Sequence, residues 1–120
     1  MAKVLVVDNS PDLLDLFSTL LTYRGHKVKG LLTGDVDETI SSFEPDMIFL
    51  DVVLIGEDGR AICKKIREKN KALPIVLISA NPAVLRDFEE CKADAVVEKP
   101  FDLKTVITTV DNLLQKALAY

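Results

Sequence analysis

Hydrophobic residues along this chain follow two alternating patterns. Short runs of consecutive apolar, mostly β-branched residues are typical of strands buried on both faces. They alternate with segments whose apolar residues recur at helical spacing. The runs predict five strands: KVLVVD (3–8), HKVKGLL (26–32), DMIFLD (46–51), LPIVLISA (73–80) and DAVVEKP (94–100).

The segments between and after these strands predict five helices. In the first, Ser10 is a candidate N-cap, Pro11 suits the first helical position, and Gly25 ends the helix. The other four are predicted within residues 34–45, 59–70, 81–92 and 103–118. Strand–helix units of this length form a parallel sheet with right-handed crossovers and helices on both faces. The predicted fold is therefore α/β, a doubly wound five-stranded parallel sheet in one domain spanning residues 1–120.

Composition narrows the class of protein. The 120 residues are 48% apolar and 28% charged, which is typical of a globular domain. The net charge of −4 does not indicate the positively charged surface that binds nucleic acid, so direct nucleic-acid binding by this chain is not expected. The sequence contains neither an apolar run of the roughly 20 residues that span a bilayer nor a signal-peptide pattern, so we expect no membrane association and a cytoplasmic location.

The cysteines and the histidine do not indicate a site. Cys63 and Cys91 lie in predicted helices at a spacing that matches no metal or redox motif. We expect both to be reduced and buried. His26 lies where a turn enters a strand, so we expect a surface or strand-edge role.

Polar residues follow four of the five predicted strands. The first ends in Asp8-Asn9, the third in Asp51, the fourth in Ser79 and the fifth in Lys99. Because parallel strands present their carboxyl ends at one edge of a sheet, where ligands of such sheets bind, these residues are expected to meet in one crevice.

This set of residues suits phosphoryl chemistry. The oxygen atoms of Asp8, Asn9 and Asp51 are the hard ligands that Mg²⁺ prefers, and a carboxylate such as Asp51 can accept a phosphoryl group. Lys99 would neutralise charge on the transferring oxygens, and Ser79 would donate a hydrogen bond to the new phosphoryl group.

Two other functions of doubly wound folds lack their motifs. A nucleotide or flavin binder needs a glycine-rich turn after the first strand, and DNSPDLL contains no glycine. The G-x-S-x-G nucleophile motif of α/β hydrolases is also absent.

The segments VVDNSPDLL, DMIFLDVVLIGEDG, PIVLISA and VVEKPFDL resemble bacterial two-component response-regulator receiver domains, which have a flavodoxin-like fold. The resemblance covers essentially the whole chain. It implies strand order 2-1-3-4-5, with Asp51 as phosphoacceptor, Ser79 as switch hydroxyl and Lys99 as phosphate contact. It also implies a cis Lys99–Pro100 bond and a backbone carbonyl of Val53 that binds the metal, with the Val53 side chain tuning phosphoryl lifetime.

The same resemblance implies how the chain acts. A histidine kinase or phosphotransfer protein would supply the phosphoryl group, and the chain would be an enzyme only in assisting its own phosphorylation and hydrolysis. The face formed by the helix from Pro82 to Cys91, the last strand and the last helix would bind an effector protein or a fused output domain.

Four residues depart from the family pattern. Asn9 replaces the second of two acids, and we expect it to weaken Mg²⁺ binding by about an order of magnitude, from a lost interaction of ~1–2 kcal/mol. Val96 replaces an aromatic residue that moves during switching, Ile55 a proline, and Lys92 a glycine. An alternative is therefore a phosphorylation-independent interaction module with a receiver-like fold and a weakened metal site.

Overall fold

The computed structural model describes residues 2–54, 56–81, 83, 88–100 and 102–118, and its strands form one large and one small sheet. The strands are β1 (Lys3–Val7), β2 (Lys27–Leu31), β3 (Met47–Asp51), β4 (Val53–Leu54), β5 (Glu57–Asp58), β6 (Ile75–Ser79) and β7 (Ala95–Glu98). Five of them form a parallel sheet in the order β2-β1-β3-β6-β7, while β4 and β5 form a separate antiparallel pair. Counted along the chain, the strands of the large sheet are ordered 2-1-3-4-5, which confirms the predicted fold class. The short β4–β5 pair was not predicted.

Four α-helices occur among the described residues. They are α1 (Pro11–Tyr23), α2 (Asp37–Phe43), α3 (Gly59–Lys69) and α4 (Leu103–Leu118). Of the helix predicted over 81–92, residues 82 and 84–87 lie outside the described part, as does Ile55. The end of that segment, Phe88–Cys91, is a 3₁₀ helix. None of the described helices has the length and apolar composition needed to cross a bilayer.

The ends of α1 follow the predicted signals, and α2 ends directly before Pro45, as its sequence predicts. The Ser10 hydroxyl accepts a hydrogen bond from the Leu13 amide at 3.3 Å, and Gly25 has a φ of +89° after the helix. Helix α2 begins without a side-chain cap, and Glu44 ends it in a left-handed conformation, one residue before Pro45.

Alternate residues of the central strands supply two hydrophobic cores. Val4 and Val6 of β1 pack with α1 and α4 on one face of the sheet, whereas Leu5 and Val7 pack with α2 and α3 on the other. This alternation follows from the two-residue period of a strand, and it accounts for the continuous apolar runs in the sequence. Cys63 and Cys91 form no disulfide and are both buried, as predicted.

Arg67 fixes the end of α3 to the loops that precede two strands. This side chain is only 8% exposed, although it is charged and lies in the last turn of a helix rich in Lys and Arg. Its guanidinium donates to the carbonyls of Leu73 at 2.7 Å and Lys92 at 3.0 Å, and to the carboxylate of Asp94 at 2.8 Å. Asp94 also accepts the backbone amide of Ile75 at 2.8 Å. Three hydrogen bonds from Arg67 therefore hold α3 against the starts of β6 and β7, and the bond from Ile75 to Asp94 links those two strand starts to each other.

The conformation of Lys92 explains why receiver sequences usually have glycine there. Its φ is +63°, a left-handed conformation in which a Cβ atom is strained and glycine is not. The hydrogen bond from Arg67 to the Lys92 carbonyl holds this conformation in place.

We predict that Lys92→Gly raises the free energy of unfolding by about 0.5–1 kcal/mol, because relief of the strain outweighs the extra entropy of glycine in the unfolded chain. Urea denaturation measures the change. Lys71→Gly is the matched control: Lys71 is exposed and has no positive φ, so glycine should destabilise the protein slightly there. A loss of stability in Lys92→Gly as large as that of the control would contradict this account.

Candidate functional site

The predicted site residues lie at the carboxyl ends of neighbouring strands. Asp8 follows β1, Asp51 ends β3, Ser79 ends β6 and Lys99 follows β7. Asp51 is paired with Ile78, so Ser79 lies one residue further along the adjacent strand. The Lys99 amide also donates to the Ser79 carbonyl at 2.9 Å. The prediction that these residues share one edge of the sheet is therefore confirmed.

Lys99 links two buried carboxylates. Its Nζ atom lies 3.1 Å from Asp8 Oδ2 and 3.2 Å from Asp51 Oδ2. Asp8 is 0% exposed and Asp51 is 3% exposed. Burying a carboxylate requires a compensating charge or hydrogen bonds, and here both carboxylates share a single ammonium group.

The second oxygen of each carboxylate is held by a backbone amide. Asp8 Oδ1 accepts the amide of Ser10 at 2.9 Å, and Asp51 Oδ1 accepts the amide of Val53 at 3.1 Å. These contacts fix the orientation of both side chains. Ser10 therefore has two roles, because its hydroxyl caps α1 while its amide orients Asp8.

Burial and neighbouring charges shift the pKa values in this cluster. Desolvation raises the pKa of Asp51, and the nearby charge of Asp8 raises it further, against the lowering effects of the Val53 amide and Lys99. Burial alone would lower the pKa of Lys99, but its hydrogen bond to Asp8 and the charges of Asp51 and Asp8 together raise it. Lys99 is therefore firmly protonated, and Asp51 is a more basic carboxylate than an exposed aspartate.

Ser79 belongs to the same edge but has a different partner. Its side chain is buried, and its Oγ accepts the amide of Asn81 at 3.1 Å. Among the described residues, no hydrogen bond joins this hydroxyl to Asp51 or to the ammonium of Lys99. The hydroxyl proton remains able to donate to a new acceptor at this edge.

The oxygen donors around Asp51 suit a hard cation with few protein ligands. Asp8 and Asp51 already share one cationic group, and the exposed Asn9 follows Asp8 directly. Within the described residues, no group of three or more His, Cys, Asp or Glu could hold a metal. Two carboxylates with water are a typical protein contribution to Mg²⁺. The donor set therefore fits Mg²⁺, while the ligand roles of Asp8, Asn9, Asp51 and the Val53 carbonyl stay predictions.

Gly59 supports the site and was missed by sequence reasoning. A Cβ atom at this position would lie 2.7 Å from Val52 Cα and would collide with the carbonyl oxygen of Asp51. The Gly59 amide donates to the Val52 carbonyl at 2.7 Å, so α3 begins directly against the strand end that carries Asp51. The Asp58-Gly59 dipeptide could have indicated this helix start in the sequence, because aspartate is a common N-cap residue. In the structure the Asp58 side chain accepts a hydrogen bond from the Arg60 amide and caps α3.

The family model for the response regulator receiver domain matches residues 4–111. The chain belongs to this family. Receiver domains are signalling domains of two-component systems, and phosphorylation and Mg²⁺ are general properties of the family.

Proteins similar to this receiver domain include both longer proteins and a protein of its own size. RpaA of Synechocystis sp., described as a DNA-binding dual master transcriptional regulator, is 27% identical over 97% of this chain and 50% of its own length. The structure of NtrX from Brucella abortus is 29% identical, with a TM-score of 0.92 over 98% of this chain and 28% of NtrX. The chemotaxis protein CheY4 of Vibrio cholerae is 25% identical, with a TM-score of 0.87 over 94% of this chain and 98% of CheY4. The chain thus spans half of RpaA and less than a third of NtrX.

We predict that Asp51→Asn raises the free energy of unfolding at neutral pH by about 1 kcal/mol. The substitution removes a desolvated charge, leaves Lys99 and Asp8 as a matched pair, and keeps an oxygen for the Val53 amide. Because the pKa of Asp51 is raised in the folded state, its ionisation costs stability above that pKa, and this cost disappears as the pH falls through it.

Urea denaturation from neutral to mildly acidic pH measures this effect. The difference between Asp51→Asn and the unmodified protein should shrink as the pH falls. Asp15→Asn removes the same formal charge from an exposed position of α1 and should leave the stability nearly unchanged. A destabilised Asp51→Asn variant at neutral pH would show that the Asp51–Lys99 contact outweighs the cost of burial.

Proposed function

We propose that this receiver domain accepts a phosphoryl group on Asp51 from a histidine kinase or a phosphotransfer protein, with Mg²⁺, and thereby changes the affinity of a partner-binding face. The observation that carries the proposal is the position of Lys99 Nζ, within 3.2 Å of the buried carboxylates of both Asp8 and Asp51. A structural ion pair needs only one carboxylate for each ammonium group. The excess negative charge at this strand edge would attract a divalent cation, and Lys99 would offset the negative charge of an incoming phosphoryl group.

The transfer step follows from the chemistry of Asp51. A carboxylate oxygen attacks the phosphorus atom and forms an acyl phosphate, while the bond from phosphorus to the donor's histidine nitrogen breaks and the nitrogen retains the electron pair. The raised pKa of Asp51 makes its ionised carboxylate more basic, and so more nucleophilic, than that of an ordinary aspartate. Lys99 contributes positive charge next to the transferring oxygens without losing its proton.

Asp8 and Asp51, with the oxygens of Asn9 and the Val53 backbone, would hold Mg²⁺. When bound, the ion neutralises negative charge that accumulates on the phosphoryl oxygens. Asn9 supplies a neutral oxygen where the family usually has an acid, so the site attracts a divalent cation less strongly.

Phosphorylation would act on the partner-binding face through Ser79 and Lys99. The added phosphoryl group brings negative charge and new acceptor oxygens, which favour contact with the Ser79 hydroxyl in place of its bond from the Asn81 amide. Lys99 follows β7, so its movement toward the phosphoryl group is coupled to that strand. A pre-existing equilibrium of the loop after β6, the segment from 82 to 91 and β7 would thereby shift. An effector protein or a fused output domain in the cytoplasm would read the change.

Two departures favour the alternative of a phosphorylation-independent interaction module. Asn9 lowers the negative charge of the site. Val96, which packs partly buried against the α3 side of the core, has one preferred rotamer in place of a mobile aromatic ring. Asp51, Ser79 and Lys99 together favour phosphotransfer.

We expect acetyl phosphate with Mg²⁺ to add one phosphoryl group to this protein, and Asp51→Asn to abolish that addition. Intact-protein mass spectrometry at neutral pH measures it, and the thermal melt of the variant shows that it is folded. Asp15→Asn is the matched control and should be labelled like the unmodified protein.

Full labelling of Asp51→Asn would contradict the assignment of Asp51. Absence of labelling in the unmodified protein, both with acetyl phosphate and with a phosphorylated histidine phosphotransfer protein, would support the phosphorylation-independent module.

We predict that Asn9→Asp increases Mg²⁺ affinity about tenfold, because it restores a negative charge to a partly solvated site, worth ~1–2 kcal/mol. Isothermal titration calorimetry of both proteins measures the two dissociation constants. Asn112→Asp adds the same negative charge at an exposed position of α4 and controls for net charge. Equal affinities of Asn9→Asp and the unmodified protein would refute this role of Asn9.

A further inference from the structure

Helix α3 is a basic element of an acidic protein. Residues 59–71 contain six Lys or Arg and one Glu, a net charge of +5, whereas the whole chain has a net charge of −4. The remaining residues therefore carry a net charge of −9. On one side of α3 the charge is balanced locally, because Lys69 lies 3.3 Å from Asp37 and Lys65 lines a hollow that also contains Asp35 and Glu57.

The other side of α3 borders a groove of about 590 Å³. The groove separates α3 from the 3₁₀ helix and the turn before β7. Its floor contains Arg67 and Asp94, which bind each other and the backbone as described above. Because these hydrogen bonds are internal, the floor is built before any ligand arrives and holds the two walls at a fixed separation.

Three lysines line the rim of this groove from both walls. Lys64 and Lys71 belong to the α3 side, and Lys92 lies opposite them. All three are exposed, and no ion pair joins any of them to another described residue. Glu68 and Glu90 lie on the same rim. The left-handed backbone of Lys92 places a long cationic side chain at this rim where glycine would be unstrained.

The groove lies away from the candidate phosphorylation site. Helix α3 starts at Gly59, against Asp51, and runs back to Lys69 at the opposite edge of the sheet. Asp94 precedes β7, whereas Lys99 follows it. A ligand in the groove would therefore contact neither Asp51 nor Lys99.

We propose that this groove docks an acidic peptide segment of a partner protein, whose carboxylates contact Lys64, Lys71 and Lys92. Exposed ion pairs are weak singly and are screened by salt, so several would act together in a salt-dependent interaction. A peptide fits better than a nucleic acid, because a long polyanion would also meet the net charge of −9 on the rest of the chain. Glu68 and Glu90 repel carboxylates, so they disfavour a peptide with an unbroken run of acidic residues. They favour a peptide with a neutral or basic residue between its acidic residues.

The test is a selection from a random peptide display library on the unphosphorylated protein, followed by fluorescence anisotropy with the synthesised peptides. We expect enriched peptides to have a net negative charge and to bind at least tenfold more weakly to the K64E/K71E/K92E variant. The matched control, K27E/K29E/K104E, makes the same charge change at exposed lysines of β2 and α4 and should retain binding. Raising the salt concentration should weaken binding to the unmodified protein and to the control alike.

Enrichment of neutral or basic peptides would overturn the proposal, as would equal losses in the two triple variants. Preferential binding of a short single-stranded DNA at the same lysines would replace the peptide with a nucleic acid. Circular dichroism establishes that each variant is folded, and the milder K64Q/K71Q/K92Q variant should show a smaller loss in the same direction. Because no step requires phosphorylation, failure of this proposal and failure of phosphotransfer to Asp51 are separate results.

Discussion

The ion cluster at the carboxyl edge of the sheet is the constraint on which this receiver domain depends. Asp8 and Asp51 are buried on adjacent strands, so their charges repel each other and both are poorly hydrated. Lys99 comes from the far side of β6 and contacts both. A single ammonium cannot neutralise two carboxylates, so this edge keeps a residual negative charge that favours a cation.

Sequence periodicity was sufficient for the architecture because each central strand supplies both faces of the sheet. The apolar runs of β1, β3 and β6 are continuous for this reason, and the helices between them require parallel pairing. The same logic brought Asp8, Asp51 and Lys99 together, since a residue that follows a parallel strand lies at a known edge. The strand order itself came from resemblance to a family, because nothing in the periodicity distinguishes one order of five strands from another.

Features that depend on contacts between distant segments could not be predicted. Arg67 is buried because carbonyls from two separate loops accept hydrogen bonds from its guanidinium. The sequence around Arg67 contains no pattern that predicts these contacts. The left-handed backbone conformation of Lys92 could not be predicted from the residue type either, since lysine normally avoids this conformation. The hydrogen bond from the Asn81 amide to Ser79 likewise requires the actual path of the loop after β6. In each case the sequence supplies the chemical group, and the tertiary structure supplies its partner.

The close contact at Gly59 has a mechanical consequence. With no space for a Cβ atom between the first residue of α3 and the Asp51 carbonyl, the strand end and the helix start cannot shift independently. The other end of α3 is fastened by Arg67 to the loops that open β6 and β7. Helix α3 is thus held at both ends. A displacement of the backbone at Asp51 would therefore move the whole helix rather than be limited to a flexible loop.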